Sequence, residues 1–164
     1  MTFKSFLAGC AACFVSVLIN TNSAAAADSH GGHGYKTHML GLFGGATSIN
    51  GETNFTLGAE YEYRFNQYFG AGALFEHTPD AHHGDGTSIY MGLVHFHPYM
   101  GLRLSGGYGR EIIHHHGSKE KDVWRIGAAY DFHIAGFGVA PTVNLDRIDG
   151  HTGTVFGLVI SKSF

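Results

Sequence analysis

Residues 153–164, GTVFGLVISKSF, decide the fold, because their side chains alternate between two faces when the chain is extended. One face holds large apolar residues and a single cation: Phe156, Leu158, Ile160, Lys162 and Phe164. The other face holds small or β-branched residues: Val155, Gly157, Val159, Ser161 and Ser163. A strand in last position must pair with another strand or remain an exposed edge. We therefore expect it to pair with the first strand of a closed barrel.

Seven similar segments precede this strand. Each spans about ten residues of alternating polarity and is followed by a turn or loop signal, which is the sequence signature of a transmembrane β-barrel. They are residues 37–47, 54–65, 68–77, 88–97, 101–113, 123–133 and 137–146. The sequence thus predicts an all-β fold, an eight-stranded antiparallel up-and-down transmembrane β-barrel over residues 37–164.

The connections between these segments are predicted to alternate in length. Short turns are expected near Asn66, Pro98 and Ala135. Longer polar loops are expected at 48–53, 78–87, 114–122 and 147–152. Outer-membrane barrels place short turns in the periplasm and longer loops outside, so both termini should lie at the short-turn end.

The two faces of the predicted strands differ in charge. Charged residues share one face with many small residues, which predicts that they point into the lumen: Glu60, Glu62, Arg64, Glu76, Arg103, Arg125 and Asp131. The opposite face is nearly free of charge and rich in aromatic residues, which suits lipid. The fourth strand is apolar on both faces, and we expect its Tyr90 face outward and His95 inward. A soluble lipocalin-like barrel would show the same period, so a periplasmic carrier of an apolar ligand is the alternative.

The N-terminus has the layout of a secretory signal peptide over residues 1–27, with Lys4, an apolar stretch and cleavage after Ala26 or Ala27. Acylation at Cys10, in a lipobox-like LAGC, is a weaker alternative because almost no apolar region precedes it. Residues 28–36 are expected to form a disordered polar arm. Both cysteines lie in the segment expected to be removed, so the mature chain has no thiol chemistry. A formal net charge of -3 gives no indication of nucleic-acid binding.

Three stretches of the sequence are informative: LGAEYEYRFNQYFGAG, GLRLSGGYG and APTVNLD. With the terminal Phe164, they resemble the small eight-stranded outer-membrane barrels of Gram-negative bacteria. The resemblance covers the whole mature length and is to a subgroup without an established activity. It implies a location in the outer membrane, contact with its lipid, and insertion by the barrel-assembly machinery through the strand ending in Phe164. Lys162 departs from the apolar residue expected two places before the terminus.

Histidine is unusually abundant, and all 13 residues lie after the signal peptide. Seven lie at or near the predicted outer loops, and the tentative metal ligands among them are His82, His83, His114, His115 and His116. Acidic neighbours could complete a shell for zinc or copper: Asp80, Asp85, Glu111 and Asp149. His95 and His97 share a strand face and form a second possible pair. The spacing matches no dedicated metal motif, so we expect at most weak binding and no required cofactor.

An enzymatic function and a pore are the alternatives to a binding function. Lipid A-modifying barrels use a serine, a histidine and an acid near the outer rim, and His116, Ser118 and Glu120 or Glu111 supply those residue types. Gly117 places the pattern in a loop, so no catalytic residues are predicted. An eight-stranded barrel leaves a lumen that side chains fill, which disfavours a diffusion channel. The sequence therefore favours a small non-enzymatic outer-membrane barrel.

Overall fold

The computed structural model describes residues 36–81, 85–113 and 119–164. The predicted signal peptide and all of the predicted arm except Lys36 lie outside these residues. Lys36 is exposed, and its Nζ donates a hydrogen bond to the carbonyl oxygen of Ser163 at 2.9 Å. In the described part of the chain, no helix is long and apolar enough to cross a membrane.

The described chain is a single antiparallel sheet closed on itself. Its strands are β1 (His38–Ile49), β2 (Glu52–Arg64), β3 (Phe69–Thr78), β4 (Thr87–Tyr99), β5 (Leu102–Ile113), β6 (Lys119–Tyr130), β7 (Phe132–Ile134), β8 (Phe137–Ile148) and β9 (His151–Ser163). Strands β6 and β7 both pair with β8, so together they form one long strand of the barrel that is interrupted at Asp131. With β6 and β7 counted as one strand, eight strands close into an up-and-down barrel, as the sequence predicts.

Strands β1 and β9 close the barrel. They pair continuously from Met39 opposite Ser163 to Ile49 opposite Gly153. Beyond the last pair, the backbone groups of His38 and Phe164 exchange two further hydrogen bonds, at 3.1 and 2.9 Å. The predicted neighbour of the final strand is thus confirmed, and its register continues past Lys162 without a slip.

The prediction of a long loop is wrong for two of the four connections. The connections expected at 48–53 and 147–152 are two-residue turns at Asn50-Gly51 and Asp149-Gly150. All four turn residues have positive φ, from 46° to 87°. Asn-Gly and Asp-Gly favour such turns because both central positions of a type I′ hairpin need positive φ. The strands therefore extend farther than predicted, and only the 79–86 and 114–118 connections are longer at that end.

The turn expected around Pro98 also lies elsewhere. Strand β4 continues through Pro98 to Tyr99, and the chain reverses at Met100-Gly101, where Gly101 has a φ of 85°. The β4–β5 register shifts between Phe96 and Tyr99. Proline has no N–H to donate to the ladder, which fits an irregularity at this point. The turns expected near Asn66 and Ala135 are confirmed.

The barrel has two distinct ends. The termini end carries the start of β1, Phe164 and the turns at 65–68, 100–101 and 135–136. The loop end carries the Asn50-Gly51 and Asp149-Gly150 turns and the two longer connections.

Side chains alternate between lumen and exterior as predicted. On β6, Val123 is 0% exposed while Trp124 is 63% exposed. On the ambiguous fourth strand, His95 is 2% exposed and Val94 is 60% exposed, so His95 does point inward. The lumen holds two apolar clusters: Leu74, Ile89, Met91, Leu93, Val123 and Ile148 in one, and Phe43, Ala129, Ala140, Val155 and Val159 in the other.

Inward glycines let the wall pack closely at the seam between β1 and β9. A Cβ at Gly45 would lie 2.2 Å from the carbonyl oxygen of Phe156 and 2.8 Å from the Cα of Gly157. By contrast, a Cβ at Gly106, on the exterior, would meet no atom within 4 Å. Both glycines lie in strands, and only the first is required by packing.

We expect Gly45→Ala to destabilise the barrel by about 1–3 kcal/mol, because backbone at the closing seam must move to admit the methyl group. The matched variant Gly106→Ala should change the free energy of unfolding by no more than about 0.5 kcal/mol. Urea unfolding in detergent micelles, followed by the fluorescence of the single tryptophan, Trp124, measures both. Equal midpoints for the two variants would contradict this account of the seam.

Candidate functional site: the charged lumen and the loop end

A network of four charge-assisted hydrogen bonds lies inside the barrel around Arg125. Its Nη1 and Nη2 donate to the two carboxylate oxygens of Glu76 at 2.8 and 2.6 Å. Its Nε and Nη2 also donate to Asp146 at 2.6 and 2.7 Å. All three side chains are buried. Arg125 lies on β6 and Glu76 on β3, three strands away around the wall, so this network crosses the lumen.

A second network crosses the lumen nearer the termini end. Arg103 on β5 donates to Glu60 on β2 at 2.6 Å and lies 3.8 Å from Glu62. His97 Nε2 donates a hydrogen bond to Glu62 Oε1 at 2.7 Å, and Arg64 Nε lies 3.4 Å from the same oxygen. Burial of these charges is tolerated because each has an oppositely charged or hydrogen-bonding partner.

A buried serine and histidine form a third polar contact. The Ser105 hydroxyl and His95 Nδ1 are 2.9 Å apart. The cavity beside Ser105 has a volume of about 20 Å³. This holds roughly one water molecule. A substrate of any size could not reach the pair, so its role is to satisfy two polar groups in the lumen.

Together the networks and the apolar clusters fill the middle of the described lumen. The cavity between the two charged networks is the same 20 Å³ space, lined by residues of both, including Glu60, Glu76, Arg103 and Arg125. An eight-stranded barrel is just wide enough for its interior side chains. The lumen is therefore a packed core rather than an open pore along this stretch.

The five tentative metal ligands, His82, His83, His114, His115 and His116, lie outside the described residues. Their prediction therefore stays untested. The strand ends that carry them are described, and they are adjacent: Thr87 at the start of β4 pairs directly with Ile113 at the end of β5. Among the described residues, no group of three or more His, Cys, Asp or Glu side chains could hold a metal ion.

The described histidines are spread over both ends, and four of them contact other side chains. His95 and His97 do share a face, with ring centroids 6.5 Å apart. Each is engaged elsewhere, His95 with Ser105 and His97 with Glu62. His77 Nδ1 lies 3.0 Å from the Ser88 hydroxyl, and His38 stacks on the terminal Phe164 ring at 5.6 Å.

The residues of the enzymatic alternative are only partly described. His116 and Ser118 lie outside the described residues. Glu120 is exposed on the barrel exterior and is paired with Arg110. Glu111 is 3% exposed and points into the mouth of the lumen at the loop end. The two acids therefore lie on opposite faces of the wall, and at most one of them could serve a common site.

The sequence predicted the correct face for seven of the lumen charges, but it did not assign Asp146 and did not identify which charges pair. Arg125 and Glu76 are 49 residues apart, and no local spacing connects them. It also missed a row of threonine hydroxyls around the lumen near the loop end. The available signal was the recurrence of threonine at inward positions close to that end of four successive strands: Thr47, Thr56, Thr78 and Thr87.

Solved barrels share this fold. The N-terminal barrel domain of OprF from Pseudomonas aeruginosa is similar with a TM-score of 0.57 at 16% identity, over 79% of this chain and 100% of that one. The Yersinia pestis outer-membrane protein Ail in a phospholipid nanodisc gives a TM-score of 0.55 at 15% identity, over 79% and 100%. Neisserial surface protein A gives 0.54 at 7% identity, over 77% and 96%.

No protein-family model and no curated protein sequence matches the chain. At the identities found, the likeness to solved structures concerns the fold. The chain has the fold of the small eight-stranded outer-membrane barrels of Gram-negative bacteria, which confirms the resemblance read from its sequence.

We expect Arg125→Met to destabilise the barrel by roughly 3–5 kcal/mol, because it leaves the buried carboxylates of Glu76 and Asp146 without their cation. Adding Glu76→Gln and Asp146→Asn to that variant should recover much of the loss, since the carboxylates are then neutral. Arg110→Met, which removes an exposed ion pair, should leave the unfolding midpoint near that of the unmodified protein. Urea titration of all variants under one condition checks the ranking, and a triple variant no more stable than Arg125→Met would contradict it.

Proposed function

We propose that this protein is a small, non-enzymatic barrel of the bacterial outer membrane, with a non-conducting lumen and a loop end that binds metal ions weakly. The observation that carries the proposal is the polarity of the two faces of the barrel wall: the inner face is charged and the outer face is apolar, the reverse of a water-soluble protein. Glu62 and Asp146 are almost fully buried inside, whereas Val94, Trp124 and Ile126 are 60%, 63% and 65% exposed outside. Such an exterior would drive aggregation in water, whereas hydrocarbon is a suitable surrounding for it.

The positions of the exposed aromatic rings support the same proposal. Near the termini end they include Tyr63, Phe65, Tyr68, Phe69, Tyr99, Tyr130, Phe132 and Phe137. Near the loop end they include the contacting pairs Phe75–Tyr90 and Tyr108–Trp124, with ring centroids 5.0 and 4.6 Å apart. Outer-membrane barrels carry aromatic girdles at both membrane interfaces, and these two groups fit that pattern.

The proposal includes two partners, outer-membrane lipid and the barrel-assembly machinery. Phe164 is 63% exposed, so its ring is accessible at the termini end. Lys162 lies on the exterior face, with its Nζ 5.6 Å from the centre of the Phe137 ring. A cation near an aromatic girdle can reach the interface, which makes Lys162 compatible with a terminal strand inserted in lipid.

When the full chain is produced in a Gram-negative host, we expect it in the outer-membrane fraction with heat-modifiable migration on gels. Planar bilayers containing the purified protein should show no reproducible conductance, because side chains fill the lumen. Recovery in the soluble periplasm would contradict the proposal and favour the soluble carrier. A change in lipid A acylation between cells with and without the gene, measured by mass spectrometry, would favour the enzymatic alternative.

The metal-binding part of the proposal rests on the strand ends that carry the histidine-rich connections. Because Thr87 and Ile113 are paired, the 82–83 and 114–116 histidines are tethered within five residues of adjacent positions on the rim. Imidazoles suit zinc and copper, and several of them on short tethers raise the local ligand concentration. We therefore expect these histidines to bind zinc or copper weakly.

Titration of the purified barrel with zinc or copper should give heat that is largely lost when His82, His83, His114, His115 and His116 are all replaced by alanine. The matched control replaces His38 and His133, which lie at the termini end, and should retain the heat. Isothermal titration calorimetry in a non-coordinating buffer makes the comparison. Unchanged heat in the five-residue variant would remove the loop histidines from consideration.

A further inference from the structure

The mouth of the lumen at the loop end contains a cavity that the proposed function does not use. Its volume is about 250 Å³. Besides Asn50 of the turn, six polar residues of the strands line it: Thr47, Glu52, Asn54, Thr78, Thr87 and Glu111. Their donor atoms are carboxylate, hydroxyl and amide groups contributed by five successive strands, β1 to β5. The cavity is therefore a polar recess with oxygen ligands on several sides.

A row of threonine hydroxyls runs along the wall of this recess. The Thr47 and Thr56 hydroxyl oxygens are 2.7 Å apart, and those of Thr56 and Thr78 are 2.8 Å apart. Thr78 is in turn the cross-strand neighbour of Thr87. Each hydroxyl has one proton to donate. The direction in which the hydrogen bonds of the row are donated therefore depends on what the first and last hydroxyls contact.

Thr87 ends the row without a partner. Its Oγ1 is buried and makes no hydrogen bond to any described residue, and the side chain is 4% exposed. A buried hydroxyl without a partner is costly, and in native structures it often marks the place of a water or an ion. Because Thr87 also lines the cavity, the missing partner belongs in that space.

The acidic residues give the recess its charge. Glu111 is 3% exposed on β5, whereas Glu52 is exposed at the start of β2, three strands away around the wall. The cation Lys121 is the cross-strand neighbour of Glu111, and its Nζ lies 3.9 Å from Asp149 Oδ2, outside the cavity lining. In the described lining, two carboxylates accompany hydroxyl and amide oxygens, and carboxylate oxygens that remain open to the cavity favour a positively charged occupant.

We propose that this cavity binds a hydrated alkaline-earth cation, Mg²⁺ or Ca²⁺. Carboxylate, hydroxyl and amide oxygens are hard ligands, which these ions prefer over the imidazoles suited to zinc and copper. The described lining provides two carboxylates, too few to replace the whole water shell of the ion. At about 30 Å³ per water molecule, the cavity accommodates roughly eight waters, enough for an ion that keeps most of its shell.

The lining residues then have distinct roles. Glu52 and Glu111 provide the charge, and their oxygens accept hydrogen bonds from cation-bound waters. The Thr87 oxygen accepts another, which supplies the partner that it lacks. The threonine row can turn its protons away from the ion, so that its oxygens face the positive charge. This site does not depend on the orientation of the barrel or on the histidine-rich connections.

The test is calorimetric titration of the full protein, purified in a non-ionic detergent and freed of metal with EDTA, with MgCl₂ and separately with CaCl₂. At least one of the two ions should bind saturably at one site. Glu111→Gln should weaken that binding at least tenfold, and Thr87→Val should weaken it severalfold. Thr87→Ser, which keeps the hydroxyl, should bind the ion as the unmodified protein does. Glu120→Gln, a matched change on the exterior, and the five-histidine variant should leave it unchanged.

Folding of each variant is checked by heat-modifiable migration, and a second measurement uses only the unmodified protein. Saturating Mg²⁺ or Ca²⁺ should raise its urea midpoint, because a ligand of the folded state stabilises that state. Absence of saturable binding by both ions would overturn the proposal. So would an affinity in Glu111→Gln equal to that of the unmodified protein. Loss of zinc binding in the five-histidine variant with Mg²⁺ or Ca²⁺ binding intact would support two separate sites.

Discussion

The continuous backbone ladder between β1 and β9 is the contact on which the rest of the structure depends. It runs from Met39 and Ser163 to Ile49 and Gly153, with His38 and Phe164 adding two bonds beyond it. An open sheet would leave two rows of unpaired N–H and C=O groups, and no solvent could satisfy them in an apolar surrounding. Closure removes both edges. It also encloses a lumen in which distant strands face each other across a short distance.

The enclosed lumen explains why the charged residues are inside and how they are tolerated there. Arg125 and Arg103 each reach acids three strands away, so the ionic contacts link opposite parts of the wall. Such buried pairs contribute little net stability relative to apolar packing, but removal of one partner is strongly unfavourable. The middle of the barrel is thus fixed, and space for ligands remains at the ends. The 250 Å³ recess at the loop end is one such space.

The errors in the predicted connections have a simple physical cause. Polar residues around 48–53 and 147–152 were interpreted as long loops, although Asn50-Gly51 and Asp149-Gly150 are the dipeptides that favour two-residue hairpins. Polarity does not end a strand near the mouth of a barrel, because both faces meet water there. The same reason explains why β6 begins at Lys119, earlier than its apolar pattern indicated.

The amino-acid sequence by itself determined the number of strands, the closing pair of strands and the lumen face of seven charged residues, but it did not assign Asp146. Those features follow from a period of two residues and from turn chemistry, which are local properties. It also placed His95 inside on the ambiguous fourth strand. Only the tertiary structure decided that Arg125 joins Glu76 to Asp146, and that four threonines form a row ending at Thr87. Those contacts depend on the stagger between strands and on closure of the sheet, because these bring together residues that no sequence spacing relates.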